Sequence, residues 1–165
     1  MGVSGAFTRP EQLGNDTTLE GFRSGLALVD SWAQNHASSA KRRGTAVVYV
    51  SYTADRSTPA GFYTLSSHSI ERASIAGGWL RRNAPDQVPA VLLGMLGVDA
   101  RFQGRGLGAA LLADAIARSL NIADAIGSKA LVVDPANDSA RDFYTKHGFA
   151  SIPGTNRLFL PFRLS

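Results

Sequence analysis

The 165-residue sequence contains no cysteine, which excludes disulfide bonds, a thiol nucleophile and a cysteine metal site. Histidine is scarce too, and His36, His68 and His147 lack the spacing of metal ligands, so no metal is expected. No apolar run approaches the ~20 residues of a membrane span, and the N-terminus lacks the hydrophobic region of a signal peptide. We therefore expect a cytoplasmic protein without a membrane partner.

The composition is that of a globular domain, with 44% hydrophobic and 18% charged residues. A chain of this length suits one domain with a sizeable core, so residues 1–165 are expected to form a single domain. Lys and Arg number 17 against 13 Asp and Glu, and the resulting net charge of +4 favours an acidic partner.

Hydrophobic periodicity and turn residues predict alternating strands and helices. Helices are expected over residues 24–33, 106–126 and 137–147, and the Lys41-Arg42-Arg43 run is typical of a solvated helix end. A loop or short helix is expected over 79–89. Strands are expected over residues 6–9, 45–52, 61–66, 69–75, 91–98, 129–133, 149–152 and 157–161.

The most informative stretch is residues 91–109, VLLGMLGVDARFQGRGLGA. An apolar strand pattern leads through a polar turn into a glycine loop, after which an amphipathic helix pattern begins. Gly104, Gly106 and Gly108 lack the Cβ atoms that would keep a ligand from the backbone. Several N–H groups can therefore converge on a phosphate at the positive end of the helix. The stretch predicts an anionic, phosphate-bearing ligand.

The spacing around the loop narrows the choice of ligand. A nucleoside-triphosphate loop needs Lys and then Ser or Thr after its last glycine, whereas Gly108 is followed by Ala109. A relaxed dinucleotide fingerprint fits Gly104, Gly106 and Ala109, with Asp134 at the end of the next predicted strand. Two mononucleotide-binding halves do not fit after residue 91, which disfavours that alternative.

The pattern Gln103-x-x-Gly106-x-Gly108, preceded by LGVD at 96–99, strongly resembles the acetyl-CoA pyrophosphate loop of the GNAT superfamily of N-acetyltransferases. Residues 137–149, NDSARDFYTKHGF, match its Asn-x-x-Ala-x-x-Phe-Tyr-x-x-x-Gly-Phe helix. The resemblance implies an α+β fold of GNAT type. Its mixed, mostly antiparallel central sheet would be splayed between the fourth and fifth strands and flanked by helices on both faces. Acetyl-CoA would be the cosubstrate.

The same resemblance implies roles for individual residues. Tyr144 would give its proton to the departing CoA thiolate, since a tyrosine hydroxyl at a pKa of about 10 can donate to a thiol at about 8.5. The alternative is a tyrosine that only packs on the sheet. Asn137 either caps the helix or bonds the pantetheine arm, or does both. The residues expected to bind acetyl-CoA are Leu96, Gly97, Val98, Gln103, Gly104, Arg105, Gly106, Leu107, Gly108, Ala109, Asn137 and Phe143.

No general base stands out in the sequence. Glu71 and Asp99 are candidates, although each fits better as a surface or turn carboxylate. A base is not required if the acceptor is the α-amine of an aminoacyl ester. The ester lowers the pKa of that amine below the ~7.7–8.0 of a free terminus, so water could accept the proton of the amine.

Further stretches resemble a narrower family. Gly21-Phe22-Arg23-Ser24-Gly25, RRNAPD at 81–86 and LFLP at 158–161 are similar to the TacT-like tRNA-acetylating toxins of type II toxin–antitoxin modules. This resemblance implies acetylation of the α-amine of aminoacyl-tRNA and inhibition of translation. It also implies a ribbon-helix-helix antitoxin and a homodimer. Candidate contacts to tRNA phosphates are Arg81, Arg82, Arg42, Arg43 and Arg101.

Three positions depart from that family. Met95 stands where arginine is common, Gly97 where alanine is usual, and Ser24 where the family has cysteine. The missing positive charge at Met95 leaves open a GNAT enzyme that acts on a small-molecule or protein amine. A non-enzymatic acetyl-CoA sensor is the third alternative.

Overall fold

The computed structural model describes residues 6–14, 17–71 and 87–162, with the side chains of Glu71 and Gln87 outside the description. In this part of the chain the strands are β1 (Glu11–Gln12), β2 (Val47–Tyr52), β3 (Pro59–Glu71), β4 (Gln87–Val98), β5 (Ala130–Val133), β6 (Ala150–Ser151) and β7 (Leu158–Pro161). The helices are α1 (Ala27–Asn35), α2 (Ala37–Arg43), α3 (Leu107–Ile126) and α4 (Asp138–Lys146).

The strands form one sheet of order β1-β2-β3-β4-β5-β7-β6. Strand β2 pairs antiparallel with β1 and β3, and β7 pairs antiparallel with β5 and β6. Strands β4 and β5 pair in parallel, and Leu93↔Val133 is the last of three pairs. Because β5 ends there, β4 continues through residues 94–98 beyond its last pair with β5. The mixed, mostly antiparallel sheet expected from the resemblance is confirmed.

The described residues form two compact units, one of residues 6–14, 17–66 and 94–115 and the other of residues 67–71, 87–93 and 116–162. The core of the first unit packs around Phe62, whose ring meets Phe22 edge-on at 5.1 Å between centroids and stacks on Trp32 at 6.0 Å. Phe22, which belongs to the 21–25 stretch, and Trp32 on α1 therefore have structural roles. The other buried members of this core are Leu13, Leu19, Val29, Ala33, Ala37, Val48, Val50 and Tyr52.

The core of the second unit surrounds β5. All four residues of this strand are buried, which is the pattern of a central strand covered on both faces and explains its unbroken apolar sequence. The buried residues of the core are Ile70, Val88, Ala90, Ala130, Val132, Ile152 and Phe159, with Leu92 packed against them.

Helix α1 begins later than the sequence predicts. We expected Ser24 to cap it, but the helix starts at Ala27, and its N-cap Leu26 makes no side-chain capping bond. The carboxylate of Asp30 instead accepts hydrogen bonds from Ser24 N at 2.7 Å, Ser24 Oγ at 2.8 Å and Gly25 N at 3.1 Å. These bonds order the turn before the helix.

Two strand expectations were also wrong in extent. Residues 6–9 contribute only a bridge from Phe7 to Thr53, and β1 lies further on. The expected strands 61–66 and 69–75 are one strand as far as Glu71, beyond which residues 72–75 lie outside the description.

The segment 79–89 was expected to be a loop or short helix, but residues 87–89 already belong to β4. Proline normally argues against a central strand because it cannot donate to the ladder. The carbonyl of Pro89 nevertheless accepts the N–H of Lys129 at 2.8 Å. No helix in the described part of the chain is long and apolar enough to cross a membrane.

Candidate active site

The glycine loop connects β4 to α3. A short 3-10 turn, Ala100–Phe102, precedes Gln103, and both Gly104 (φ +79°) and Gly106 (φ +83°) adopt the left-handed backbone conformation that favours glycine. The first N–H to donate within α3 is that of Ala110, which bonds Gly106 O at 3.1 Å. The preceding N–H groups of this helix start are therefore available to an anion. Leu107 is buried, which places its side chain in the packing of this unit and not on the surface offered to a ligand.

The side chain of Gln103 holds the loop in place. Its amide donates to Ser24 O at 2.7 Å and to Val98 O at 2.9 Å, which uses both amide hydrogens. Gln103 was expected to bind acetyl-CoA, and the structure places its side-chain donors on the protein backbone. The carbonyl of Val98 is engaged by the same contact.

Asp99 anchors the turn before the loop. The residue is only 1% exposed, and its carboxylate accepts from Arg101 N at 3.0 Å, Arg101 Nε at 2.9 Å, Arg101 Nη2 at 3.1 Å and Arg23 N at 3.2 Å. Burial raises the pKa of Asp99, but these hydrogen bonds and the Arg101 charge outweigh it and hold the pKa below its usual value. Asp99 is thus a structural anion, which argues against its candidacy as general base.

The end of β4 approaches α1 closely. A Cβ built on Gly97 would lie 2.7 Å from Val29 Cγ1 and 3.4 Å from Phe22 Cε1. Glycine at this position, where the toxins usually have alanine, therefore fits the local packing of this chain. Leu96 and Val98 are half-buried beside it.

Tyr144 lies on α4, which is capped by the Asn137 side chain: Asn137 Oδ1 accepts the N–H of Ala140 at 2.8 Å. The capping role of Asn137 is confirmed. The Tyr144 side chain is buried, with its ring 5.3 Å from Phe143 and 5.5 Å from Phe149 between centroids. Burial raises the pKa of Tyr144 well above its ordinary value, so its hydroxyl keeps its proton at neutral pH.

Sequence reasoning missed an ionic group at the end of β5. Arg157 donates to both carboxylate oxygens of Asp134, from Nε at 2.8 Å and from Nη2 at 2.9 Å, and Arg157 Nη1 lies 2.5 Å from His68 Nε2. Burial and the Arg157 charge lower the pKa of His68, so the neutral ring accepts from Arg157. These residues are far apart in the chain, and no spacing could have linked them.

The predicted tRNA contacts differ in what the structure says of them. Arg42 and Arg43 are exposed in the last turn of α2, while the exposed guanidinium of Arg101 is paired with Asp99. Arg81 and Arg82 lie outside the described residues. Within residues 6–14, 17–71 and 87–162, no group of three or more acidic or histidine side chains could hold a metal ion.

Comparison with known proteins places the chain in a family. It is similar to a tRNA-acetylating toxin of Mycobacterium tuberculosis (strain ATCC 25618 / H37Rv), with 37% identity over 147 residues, 89% of this chain and 87% of that protein. The structure of AtaT complexed with acetyl-methionyl-tRNAfMet matches with a TM-score of 0.85 and 28% identity, over 94% of each chain. A mutant AtaT bound to the C-terminus of the antitoxin AtaR and acetyl-CoA matches with a TM-score of 0.79 and 28% identity, over 94% of this chain and 93% of that one. Residues 27–149 match the Acetyltransferase (GNAT) family, to which this chain therefore belongs.

Proposed function

We propose that the protein transfers the acetyl group of acetyl-CoA to the α-amine of aminoacyl-tRNA and acts as a toxin that inhibits translation. The observation that carries this proposal is the 37% identity to a tRNA-acetylating toxin across 89% of the chain. Residues 1–165 would act as one acetyltransferase domain, and a tRNA substrate implies that it works in the cytoplasm.

The glycine loop suits the pyrophosphate of acetyl-CoA. Gly104 and Gly106 are exposed, a Cβ on either would meet no atom within 4 Å, and the loop leads into the N–H groups of the α3 start. Arg105, exposed in the same loop, and Gly108 and Ala109 in the first turn of α3 would contribute to this anion site. The backbone of residues 96–98, which continues past the last pair with β5, would pair with the pantetheine arm.

Tyr144 would act as the general acid. When the amine nitrogen bonds the acyl carbon and the carbon–sulfur bond breaks, the Tyr144 hydroxyl gives its proton to the leaving thiolate. The raised pKa of Tyr144 keeps the proton on its hydroxyl at the start of the reaction but also makes the hydroxyl a weaker acid, so the transfer requires direct contact with the thiolate sulfur. The proton of the attacking amine goes to water. Phe143 and the remaining amide hydrogens of Asn137 would contact acetyl-CoA.

The same proposal identifies tRNA as the acidic partner and predicts an antitoxin and a homodimer. Arg42 and Arg43, exposed on α2, together with Arg81, Arg82 and Arg101, would contact tRNA phosphates. A ribbon-helix-helix antitoxin would neutralise the toxin, and the toxin would form a homodimer.

One observation favours the alternative acceptor, a small-molecule or protein amine. Met95 replaces the usual arginine, is partly buried against the core of the first unit, and its N–H bonds Thr64 Oγ1 at 3.0 Å. This side chain offers no charge to a phosphate.

The experiment incubates the purified protein with labelled acetyl-CoA and a total pool of charged tRNA, and identifies the released aminoacyl nucleosides by mass. We expect acetylated aminoacyl-adenosine, and a loss of kcat of about 10²–10⁴-fold for Tyr144→Phe with acetyl-CoA binding retained.

Tyr52→Phe is the matched control, since Tyr52 is also a buried tyrosine but lies in the core of the first unit. It should keep kcat. Turnover on free amines alone would replace the tRNA proposal with the alternative acceptor, and unchanged kcat in Tyr144→Phe would refute the acid role.

A further inference from the structure

Arg141 lies on α4 one turn before Tyr144 and connects this helix to the end of β6 and to the turn between β6 and β7. Its Nη1 donates to the carbonyl oxygen of Asn156 and to Asn156 Oδ1, both at 3.0 Å, and its Nη2 donates to Ser151 Oγ at 2.8 Å. Three acceptors on two residues thus converge on one guanidinium. A planar group with several fixed donors suits this arrangement better than a lysine ammonium would.

The same turn also forms hydrogen bonds with the segment that leads into α4. Asn156 Nδ2 donates to Pro135 O at 3.3 Å, and the next residue, Arg157, donates to both oxygens of Asp134. Two consecutive residues of the turn therefore bind two consecutive residues of the β5–α4 connection. We call the set Arg141, Ser151, Asn156 and Arg157 the clasp.

The clasp determines how α4 can move. The β5–α4 connection fixes the helix at its start, and Arg141 fixes it one turn before Tyr144. A helix held at both points can neither rotate about its axis nor slide without breaking several hydrogen bonds. Because the Tyr144 ring is buried between Phe143 and Phe149, a small rotation would change how much water reaches its hydroxyl.

We propose that Arg141 is a positioning residue for the acetyl transfer: through the clasp it holds α4 so that the Tyr144 hydroxyl stays in its buried place. This inference rests on the proposed role of Tyr144 as the acid. Arg141 itself would touch neither acetyl-CoA nor the acceptor.

The test compares Arg141→Ala with Arg141→Lys, with Lys146→Ala as control for loss of a positive charge from the same helix. Phenolate absorbance is titrated in each variant with and without Tyr144→Phe, so that the difference isolates Tyr144. For Arg141→Ala we expect Tyr144 to ionise at lower pH, nearer the ordinary value of about 10.

The kinetic arm uses labelled acetyl-CoA and charged tRNA. We expect kcat to fall about tenfold or more in Arg141→Ala, since small misplacements of a reacting group have effects of this size, while the KM for acetyl-CoA is kept. Arg141→Lys should lie between wild type and Arg141→Ala, and Lys146→Ala should match wild type. If Arg141→Ala does not fold, Asn156→Ala, which removes one acceptor and the Pro135 contact, takes its place.

The outcomes separate this inference from the proposed function. A fall in thermal stability with the Tyr144 titration or kcat unchanged would overturn the positioning role. If Tyr144→Phe keeps its kcat, the acid role fails, and the titration alone then decides whether Arg141 positions Tyr144.

Discussion

The glycine loop and the Tyr144 helix present their chemistry through different parts of the chain. The loop offers backbone N–H groups from exposed residues, and its support is a buried carboxylate, that of Asp99. The helix offers one buried side chain, and its support is the guanidinium of Arg141, which binds Asn156 in a turn at the surface. Access to backbone N–H groups depends on which positions are glycine, whereas the position of a buried side chain depends on all the residues that pack around it.

The largest expected effect on stability is that of Gly97→Ala, which tests whether glycine at this position is required for packing. The new Cβ would lie 2.7 Å from Val29 Cγ1 on α1, so we expect a loss of unfolding free energy of about 1–3 kcal/mol, measured by denaturant unfolding.

The partner variant Val29→Ala makes room for the new methyl group. The loss in the double variant should then be smaller than the sum of the two single losses, by about 0.5–3 kcal/mol. Strictly additive losses of unfolding free energy would mean that Val29 does not restrict the side chain at position 97, and that packing does not require glycine there.

A smaller effect on stability is expected within the glycine loop, where it is accompanied by a change in ligand binding. Gly106→Ala forces an L-residue into a φ of +83°, which costs about 1–2 kcal/mol and disturbs the N–H groups offered to acetyl-CoA. We expect weaker acetyl-CoA binding by calorimetry together with lower stability.

Gly127→Ala is the matched control for Gly106→Ala. Gly127 has a similar φ of +74° but follows the other end of α3, so its variant should lose similar stability and keep the acetyl-CoA affinity. Equal affinity in both variants would show that the loop backbone does not bind the ligand.

The sequence predicted the loop better than its supports. Glycines at alternate positions are a local pattern, and the helix motif around Tyr144 is also local, so both were recognisable. The pairing of Asp99 with Arg101 is short in sequence, but the burial that makes Asp99 an anchor depends on where the segment of Arg23 lies. Gln103 was predicted to bind acetyl-CoA, whereas the attachment of its side chain to Ser24 O, which joins residues 79 positions apart, was not predicted.

The same reason explains the errors in the fold. Ser24 has the residue type of an N-cap, but its hydroxyl donates to the Asp30 carboxylate, and the helix begins only at Ala27. Pro89 reads as the end of a loop, yet it lies within β4 and its carbonyl still accepts a hydrogen bond. Tertiary hydrogen bonds override local preference at both positions.

The smallest predicted effect concerns the ionic group of Asp134, His68 and Arg157, which shares Arg157 with the clasp. His68 has a pKa below its ordinary value of 6.5 because it is partly buried and faces Arg157, although Asp134 opposes the shift. A histidine with a lowered folded-state pKa contributes stability above pH 6.5 that is lost as the pH falls through the folded value. Wild type should therefore lose more thermal stability than His68→Gln in this range.

His36→Gln serves as the control because His36 is exposed. It should follow the wild-type pH dependence. Asp134 also has a lowered pKa, mainly because Arg157 donates hydrogen bonds to it, but its contribution is lost only below its ordinary value of 3.8. Identical curves for wild type and His68→Gln would contradict the role given to His68.

The clasp also has a consequence for synthesis of the chain. Ser151, Asn156 and strand β7, which hold α4 and β5, all follow Tyr144 in the sequence. A nascent chain that has emerged only as far as α4 has its acid residue but none of these supports. Because a domain generally folds as a unit during synthesis, we expect α4 and β5 to gain their native packing only after β7 has left the ribosome. A protein proposed to stop translation would thus become active only once nearly all of its described length has been made.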